Sequence, residues 1–185
     1  MQANYITLYR IIENRLLLLY KTPVSGIPLC LTQFQGRLLA GVGGSLALYD
    51  IGKKQLLRKT QAKVGGSMIR TLDAVGDRIF AGDMQSSMHL VRYDVSGNEL
   101  GVVCDDLMQR AIVAAEVLDF NTVACSDKWG NVFVLRAPPD VDNQVIGAQG
   151  GGGALWDGGK NVGKKFETLC HFCIGEVVSG LRRGR

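Results

Sequence analysis

Three stretches of the sequence share one pattern, in which a turn is followed by a short apolar run that ends at a small residue. The stretches are FQGRLLAGVGGSLALYD, VGDRIFAGDMQSSMHLVRYD and DFNTVACSDKWGNVFVLR. Their small residues, Ala40, Ala81 and Ala124, lie 41 and 43 residues apart, and Tyr49-Asp50 recurs as Tyr93-Asp94. A self-similar period of about 40 to 45 residues with four strands per unit is typical of β-propeller blades. The pattern therefore predicts that the three alanines occupy equivalent positions in successive blades.

The predicted fold class is all-β, a β-propeller with WD40-like blades of four antiparallel strands. An N-terminal hairpin, NYITLYRI and RLLLLYKTPV, is joined across Glu13-Asn14, and KKFETLCHFCIGEVVSGL is expected to form two more strands. The run RAIVAAEVLD is ambiguous because its alanines favour a helix, but its periodic context favours a strand. The remaining strand candidates are Leu29 to Phe34, Gln55 to Thr60, Met68 to Ala74, Glu99 to Cys104 and Ala111 to Leu118.

Residues 1–185 are predicted to form one partial propeller of about three to four blades, whereas propellers usually close with about four to eight. A Pro/Gly-rich loop, residues 137–163, lies within it and is of the kind that is functional or disordered. Residues Gly147 to Gly153 are expected to be mobile and exposed. An incomplete propeller has an open edge at each end, so we expect the isolated chain to self-associate or to be marginally stable.

The glycine-rich stretch RLLAGVGGSLALYD is interpreted as a hairpin. A phosphate-binding loop needs a helix after the glycines, because the helix N-terminus supplies the N–H donors. The following SLALYD is short and has no N-cap signature, and the Lys-Ser/Thr pair is absent. Gly43-Gly44 are therefore predicted to form a two-residue turn, where a positive φ favours glycine.

The composition is that of a globular protein, with 46% hydrophobic and 21% charged residues and a net charge of +4. The basic clusters Lys53-Lys54, Lys164-Lys165 and Arg182-Arg183 are separate, which favours a solvated surface over a nucleic-acid footprint. No apolar run has the length of a spanning helix, and no signal-peptide pattern occurs, so no membrane partner is expected. The five cysteines are predicted to be reduced thiols in a cytosolic or nuclear protein.

The sequence contains no catalytic constellation, and it predicts no cofactor and no metal site. Cys170-His171-Phe172-Cys173 resembles half of a zinc site, but there is no second Cys-x-x-Cys, and His89 is the only other histidine. A strand would also point Cys170 and Cys173 to opposite faces, so a buried structural role is favoured. Asp105-Asp106 are assigned to a turn. Asp127 is expected to hold its hairpin through an Asx-type hydrogen bond.

At this level of detail the chain resembles a known family. The residues that carry the resemblance are FQGRLLAGVGGSLALYDIGKKQLLRK, VRYD, TVACSDKWGNVFVLRAPP, ALWDGG and IGEVV. They are similar to the third β-propeller of the large propeller subunit of splicing factor 3b, and the resemblance runs from about Ile6 to Leu181. The superfamily includes the large subunits of the damage-specific DNA-binding protein and of the cleavage and polyadenylation factor. Its members have three propellers and a helical C-terminal domain, so the resemblance implies that this chain is a piece of the C-terminal part.

The resemblance implies a non-enzymatic scaffold that binds proteins in pre-mRNA splicing and branch-site recognition, located in the nucleus. The implied partners are the large HEAT-repeat subunit and a small helical subunit of splicing factor 3b, within the spliceosome. The alternatives are an adaptor of a ubiquitin ligase in DNA repair, an adaptor of mRNA 3′-end processing, and direct nucleic-acid binding. RNA binding needs aromatic platforms among basic residues, and Lys128-Trp129 is the one suggestive pair. Because Trp129 is expected to pack as a blade aromatic, RNA contact is predicted to be indirect or minor.

Overall fold

The computed structural model describes residues 3–143 and 164–184, which are mostly β-strand. The predicted N-terminal hairpin is confirmed: β1 (Asn4–Ile12) pairs antiparallel with β2 (Arg15–Val24). Its two-residue turn places Glu13 and Asn14 at φ values of 46° and 62°, the left-handed conformation that tight hairpin turns need. Among the described residues, no helix has the length and hydropathy required to cross a lipid bilayer.

Three four-stranded antiparallel sheets follow, each formed by four strands that are consecutive in the chain. The strands of sheet 1 are β3 (Pro28–Phe34), β4 (Arg37–Val42), β5 (Ser45–Ile51) and β6 (Leu56–Lys63). The strands of sheet 2 are β7 (Ile69–Val75), β8 (Arg78–Asp83), β9 (Met88–Asp94) and β10 (Glu99–Asp105). The strands of sheet 3 are β11 (Ile112–Val117), β12 (Thr122–Asp127), β13 (Asn131–Arg136) and β14 (Glu167–Cys173), with a 3-10 helix at Pro139–Asn143 between the last two.

The sheets stack side by side in the manner of propeller blades. The first strands contact one another in sequence, β3 with β7 and β7 with β11, while β6 contacts β10. Apolar side chains from facing sheets fill each seam, because a blade cannot bury both faces of its sheet alone. The seam between sheets 1 and 2 includes Phe34, Leu39, Leu48, Ile79, Ala81 and Val91, and the seam between sheets 2 and 3 includes Phe80, Met88, Leu90, Cys125 and Phe133. The described chain is thus a partial, open β-propeller, as predicted.

The register of the sheets repeats from one to the next. A β-bulge interrupts the pairing of the first two strands near their start, between Pro28 and Cys30, between Ile69 and Thr71, and between Ile112 and Ala114. A second bulge interrupts the outer pair, next to Leu48, Leu90 and Val134. Bulges fix the register of a strand pair, so these positions define which residues are equivalent among the three sheets.

The N-terminal hairpin carries the outer bulge as well. Its register shifts between Leu8 and Tyr9, so that Leu8 pairs with Tyr20 and Tyr9 with Leu18. This pattern is the one that the third and fourth strands show beside Leu90. The hairpin therefore corresponds to the outer half of a further blade, and it packs against sheet 1 through Ile6 and Tyr20.

The predicted equivalence of Ala124 with Ala40 and Ala81 is wrong by one residue. Counted from the first bulge, the residue of sheet 3 that corresponds to Ala40 and Ala81 is Cys125, which pairs with Ala115. All three of these side chains are completely buried. Because neighbouring residues of a strand point to opposite faces, Ala124 faces away from sheet 2 and is only partly buried. The true spacings are 41 and 44 residues, and the propeller assignment itself stands.

The recurrence of Tyr-Asp is likewise not an equivalence. Tyr49 follows the outer bulge directly, and the residue that does so in sheet 2 is Val91, two positions before Tyr93. Tyr93 still lies in the seam between sheets 1 and 2, where its ring meets that of Phe34 edge to face at 6.0 Å. A shift of two keeps a side chain on the same face, which is why the two tyrosines look alike in sequence.

The other strand predictions are confirmed in position, including the ambiguous run RAIVAAEVLD, which forms β11. Only one strand, β14, lies in the region predicted to hold two, since residues 174–184 form no strand. The expected mobility of Gly147 to Gly153 concerns residues outside the described part of the chain.

Candidate interaction surfaces

One end of the sheets is organised around the turns between second and third strands; we call it the linker end, because each connection to the next sheet crosses it. The prediction of a Gly43-Gly44 turn is confirmed, with Val42 paired to Ser45 and Gly43 at a φ of 57°. The carbonyl of Gly44 accepts hydrogen bonds from the linker amides of Val64 and Gly65 at 3.0 and 2.9 Å. In sheet 2 the amide of Arg110 donates to Ser86 at 2.6 Å, and in sheet 3 that of Ile174 donates to Gly130 at 2.8 Å. The turns therefore serve to dock linkers.

Two aspartates hold the turns of this end from within. Asp127 accepts hydrogen bonds from the amides of Trp129 and Asn131 at 2.8 and 3.0 Å, which confirms the predicted Asx-type role. Asp83, at the corresponding place in sheet 2, accepts from the amides of Gln85 and Ser86, both at 2.7 Å. Asp83 also accepts from the linker amide of Ser67 at 3.1 Å. Both carboxylates are buried, and their hydrogen bonds replace the water they lose.

A buried ion pair joins the linker between sheets 2 and 3 to sheet 3. Nε of Arg110 lies 2.8 Å from a carboxylate oxygen of Asp106, and both side chains are almost fully buried. The hydroxyl of Ser87 donates to the same oxygen at 2.8 Å. The guanidinium of Arg110 also donates to Oγ1 of Thr168 at 3.2 Å and lies 4.2 Å from the ring centre of Phe133. Removal of either partner would therefore leave the other charge buried without its counter-ion.

The predicted turn at Asp105-Asp106 is only half correct, since Asp105 is the last residue of β10. The carboxylate of Asp105 is paired with the amino group of Lys165 at 2.5 Å, and the backbones of the two residues form a parallel bridge. The amide of Phe166 donates to the Asp105 carbonyl at 2.8 Å. Burial raises the pKa of Asp105, while the amino group of Lys165 acts to lower it.

The stem of the Pro/Gly-rich segment is anchored between sheets 2 and 3. Val141 and Phe166, on either side of the undescribed residues 144–163, are both buried in the seam between these sheets. Lys164 pairs with Asp140 across the same stem. The chain thus leaves sheet 3 after β13, contacts the outer strand of sheet 2, and returns to sheet 3 as β14.

His89 lies in β9 opposite Asp105 and is buried. Its Nε2 has no hydrogen-bond partner among the described residues. Burial lowers the pKa of His89 below 6.5, although the carboxylates of Asp105 and Asp83 act to raise it. Burial therefore disfavours the charged form of the imidazole, in opposition to the carboxylates around it.

The cysteines differ from the prediction of a buried structural role. Cys170 and Cys173 are exposed on β14, opposite Val134 and Asn131. Within the described ranges, no group of three or more histidine, cysteine and acidic residues could hold a metal ion. Burial raises the pKa of Cys30 to about 11 and that of Cys104 to about 12, so these thiols stay protonated and are poor nucleophiles.

Trp129 does not pack as a blade aromatic, contrary to prediction. It stands in the turn between β12 and β13 with 57% of its surface exposed. The amino group of Lys128 lies 4.8 Å from its ring centre. The turn that holds Trp129 corresponds to the Gly43-Gly44 turn of sheet 1 and to the turn at Ser86 of sheet 2. All three turns lie at the linker end of the sheets, so a side chain there projects away from the blade faces.

The two ends of the stack of sheets differ in what covers them. On the N-terminal hairpin, large side chains are exposed on both faces, including Tyr9, Ile11, Leu16, Leu17 and Leu18. On sheet 3, residues 174–184 cross the outward face, where the hydroxyl of Ser126 donates to the Val178 carbonyl at 2.7 Å. The residues equivalent to Ser126 are Gly41 and Gly82, which lie against the first strand of the next sheet. Residues 174–184 thus follow the path of the first strand of a following blade.

Sequence reasoning missed the buried arginines. Arg78, at the start of β8, lies 4.1 Å from the ring centre of Phe120 and donates to its carbonyl at 3.2 Å, so that it links sheet 2 to sheet 3. The signal was present in RLLAG and RIFAG, since both second strands begin with arginine. Arg37 in the first of these instead pairs with Asp50 at 2.8 Å. The same residue at the same place in the pattern therefore has different partners, which the sequence alone does not reveal.

Comparison with known proteins shows a family and several relatives that this chain resembles in sequence. The family described as the CPSF A subunit region matches residues 1–185. Spliceosome-associated protein 130 A of Arabidopsis thaliana is 42% identical over 185 residues, and Splicing factor 3B subunit 3 of Danio rerio is 40% identical over 185 residues. Pre-mRNA-splicing factor RSE1 of Mycosarcoma maydis is 39% identical over 183 residues. These alignments cover 97–98% of this chain and 15% of each relative.

Proposed function

Because this chain belongs to the CPSF A subunit region family, we propose that it is a non-enzymatic protein-interaction scaffold in pre-mRNA splicing, acting in the nucleus. The observation that carries the proposal is 40% identity over 98% of the chain to a protein named Splicing factor 3B subunit 3. Its specific partners are the large HEAT-repeat subunit and the small helical subunit of that complex. The arrangement of rigid stacked sheets with open turns and faces suits a scaffold.

The domain organisation follows from the same proposal. We assign residues 1–185 to one propeller, with residues 137–163 as the segment that connects β13 to β14; residues 144–163 of that segment lie outside the described part of the chain. The chain spans about 15% of the length of the relatives it matches. The open face of the hairpin is the contact for a further blade, and the isolated chain uses it to self-associate.

The experiment is affinity purification of the full-length protein from nuclear extract, compared with a version that lacks residues 28–173. The HEAT-repeat and small helical subunits are expected with the intact protein and reduced with the deletion. Recovery of ubiquitin-ligase or 3′-end-processing subunits instead would favour those adaptor roles and overturn the proposal. Equal recovery of splicing subunits with both proteins would assign the binding to other parts of the longer chain.

A further inference from the structure

The linker end carries exposed apolar side chains at the ends of strands, away from the faces through which the sheets pack. Leu107 and Met108 lie in the linker between sheets 2 and 3 with 74% and 59% of their surface exposed, and Trp129 lies in a turn. Blades pack through the faces of their sheets, whereas these residues project from the ends of strands. Large exposed apolar side chains of this kind, especially tryptophan and methionine, are enriched at the centres of protein interfaces.

Hydrogen bonds connect the Trp129 turn and β7 to the residues around the start of β11. The amide of Lys128 donates to the carbonyl of Ala111 at 3.1 Å, which places the Trp129 turn beside the linker. The guanidinium of Arg110 contacts the sulfur of Met108 at 3.3 Å. On the other side, Nε of Arg70 donates to the carbonyl of Val113 at 3.1 Å. The exposed residues around the start of β11 are Arg70, Leu107, Met108, Lys128 and Trp129, and we call this set the Trp129 patch.

The charges of this patch are sorted by sign. The carboxylates of Asp83, Asp106 and Asp127 point inward, where turn amides and Arg110 satisfy them. Arg70 and Lys128 point outward and are exposed. Among the described residues beside the patch, Glu176 is the exposed carboxylate. The surface offered to a partner is therefore apolar, with the cations Arg70 and Lys128 beside it and the single carboxylate of Glu176 next to the Trp129 turn.

From this arrangement we infer that the Trp129 patch docks a protein segment in which aromatic or aliphatic side chains are flanked by carboxylates. Leu107 and Met108 receive the apolar side chains beside Trp129, and the carboxylates face Lys128 and Arg70. Complementary charge at an interface sets specificity and association rate. Single-stranded RNA would satisfy the cations and could stack on Trp129, but it would leave Leu107 and Met108 without apolar contacts. The inference rests on the scaffold role proposed above and gives that role a binding site.

The test is selection of binders from a library of random dodecapeptides against the immobilised full-length protein, with Trp129→Ala protein used to remove binders of other surfaces. Selected peptides are expected to be acidic and to contain an aromatic or aliphatic residue. The affinity of the best peptide should fall about tenfold for Lys128→Glu. It should change little for Lys54→Glu, a matched reversal in the exposed turn between β5 and β6. A version of that peptide with lysine in place of its acidic residues should bind Lys128→Glu better than the original protein.

Basic or neutral consensus peptides, or the absence of any peptide that depends on Trp129, would overturn the inference. So would an oligouridylate that binds more tightly than the best peptide and loses affinity on Trp129→Ala. Loss of splicing subunits from the purification described above would refute the proposed complex but leave a Trp129-dependent acidic peptide intact. The two failures can therefore be told apart.

Discussion

Sheet 2 and the N-terminal hairpin are built from strands of the same kind, but they differ in what covers them. Leu90 of sheet 2 and Leu8 of the hairpin stand at the same register position beside the outer bulge. Leu90 is completely buried, whereas Leu8 is only partly buried. Sheets 1 and 3 enclose sheet 2, while the hairpin packs against sheet 1 on one face. Burial in such a fold is decided by the neighbouring blades as much as by the strand itself.

The largest difference is expected when a buried charge is removed between sheets 2 and 3. Arg110→Ala leaves Asp106 buried without its cation, and loss of one partner of a buried pair costs about 3–5 kcal/mol. Arg10→Ala, on the exposed side of the hairpin, should change the free energy of unfolding by less than about 0.5 kcal/mol. Urea unfolding measures both. Because the ion pair itself is only weakly stabilising, Arg110→Met combined with Asp106→Leu should recover much of the lost stability. Equal effects of Arg110→Ala and Arg10→Ala would contradict the difference between the two regions.

A second test compares apolar truncations. Leu90→Ala creates a cavity between sheets 2 and 3 and should lower the free energy of unfolding by about 2–5 kcal/mol. Leu17→Ala, at a site that is 52% exposed on the hairpin, should cost less than about 0.5 kcal/mol. The comparison is to be made by urea unfolding at low protein concentration. A large loss for Leu17→Ala would mean that the hairpin is covered in solution.

The closed region should also respond to pH through His89. Burial keeps the pKa of this imidazole below 6.5 in the folded chain, whereas the unfolded chain takes up a proton near about 6.5. The folded state then binds fewer protons, so stability is expected to fall as the pH decreases through this value and to be unaffected above it. Asp83, Asp105, Asp106 and Lys165 surround the group, and the raised pKa of Asp105 acts in the opposite direction at lower pH. Thermal unfolding of His89→Gln should lack the decrease, and an unchanged slope would remove His89 as its cause.

Substitutions on the exposed face of the hairpin are expected to have the smallest effect on stability and a clear effect on self-association. Lysine in place of Ile11 and Leu16, which are 74% and 70% exposed, should reduce self-association of the isolated chain without altering its unfolding. Sedimentation velocity at several concentrations measures the association. As the reverse change, exposed Lys53 and Lys54 in the turn between β5 and β6 are replaced by leucine, which adds apolar surface instead of removing it. A monodisperse wild-type monomer at all concentrations would contradict the proposed self-association through the open face of the hairpin.

Local signals predicted the elements of this fold well, and positions that depend on neighbouring sheets less well. The Gly43-Gly44 turn and the hairpin at Glu13-Asn14 follow from backbone conformations that few residues adopt, so the sequence predicts them directly. Ala124 was misplaced because alanine and cysteine are both small enough for the buried position, and only the bulge distinguishes them. No catalytic site was predicted. The Lys128-Trp129 pair was recognised, but Trp129 was wrongly expected to pack within the blade, because the exposure of a turn tryptophan depends on the whole blade.

The chain contacts sheet 2 between β13 and β14 of sheet 3, and this contact affects the order of folding. The third and fourth strands are joined by residues 52–55 in sheet 1 and by residues 95–98 in sheet 2, but by the thirty residues 137–166 in sheet 3. Closing a longer loop costs more chain entropy before the strand can form its contacts. We therefore expect β14 to join its sheet last. Since Lys165 and Phe166 bind Asp105 directly before β14 begins, sheet 2 supplies a template that shortens the search. Amide hydrogen exchange during refolding should therefore show protection of β10 before that of β14.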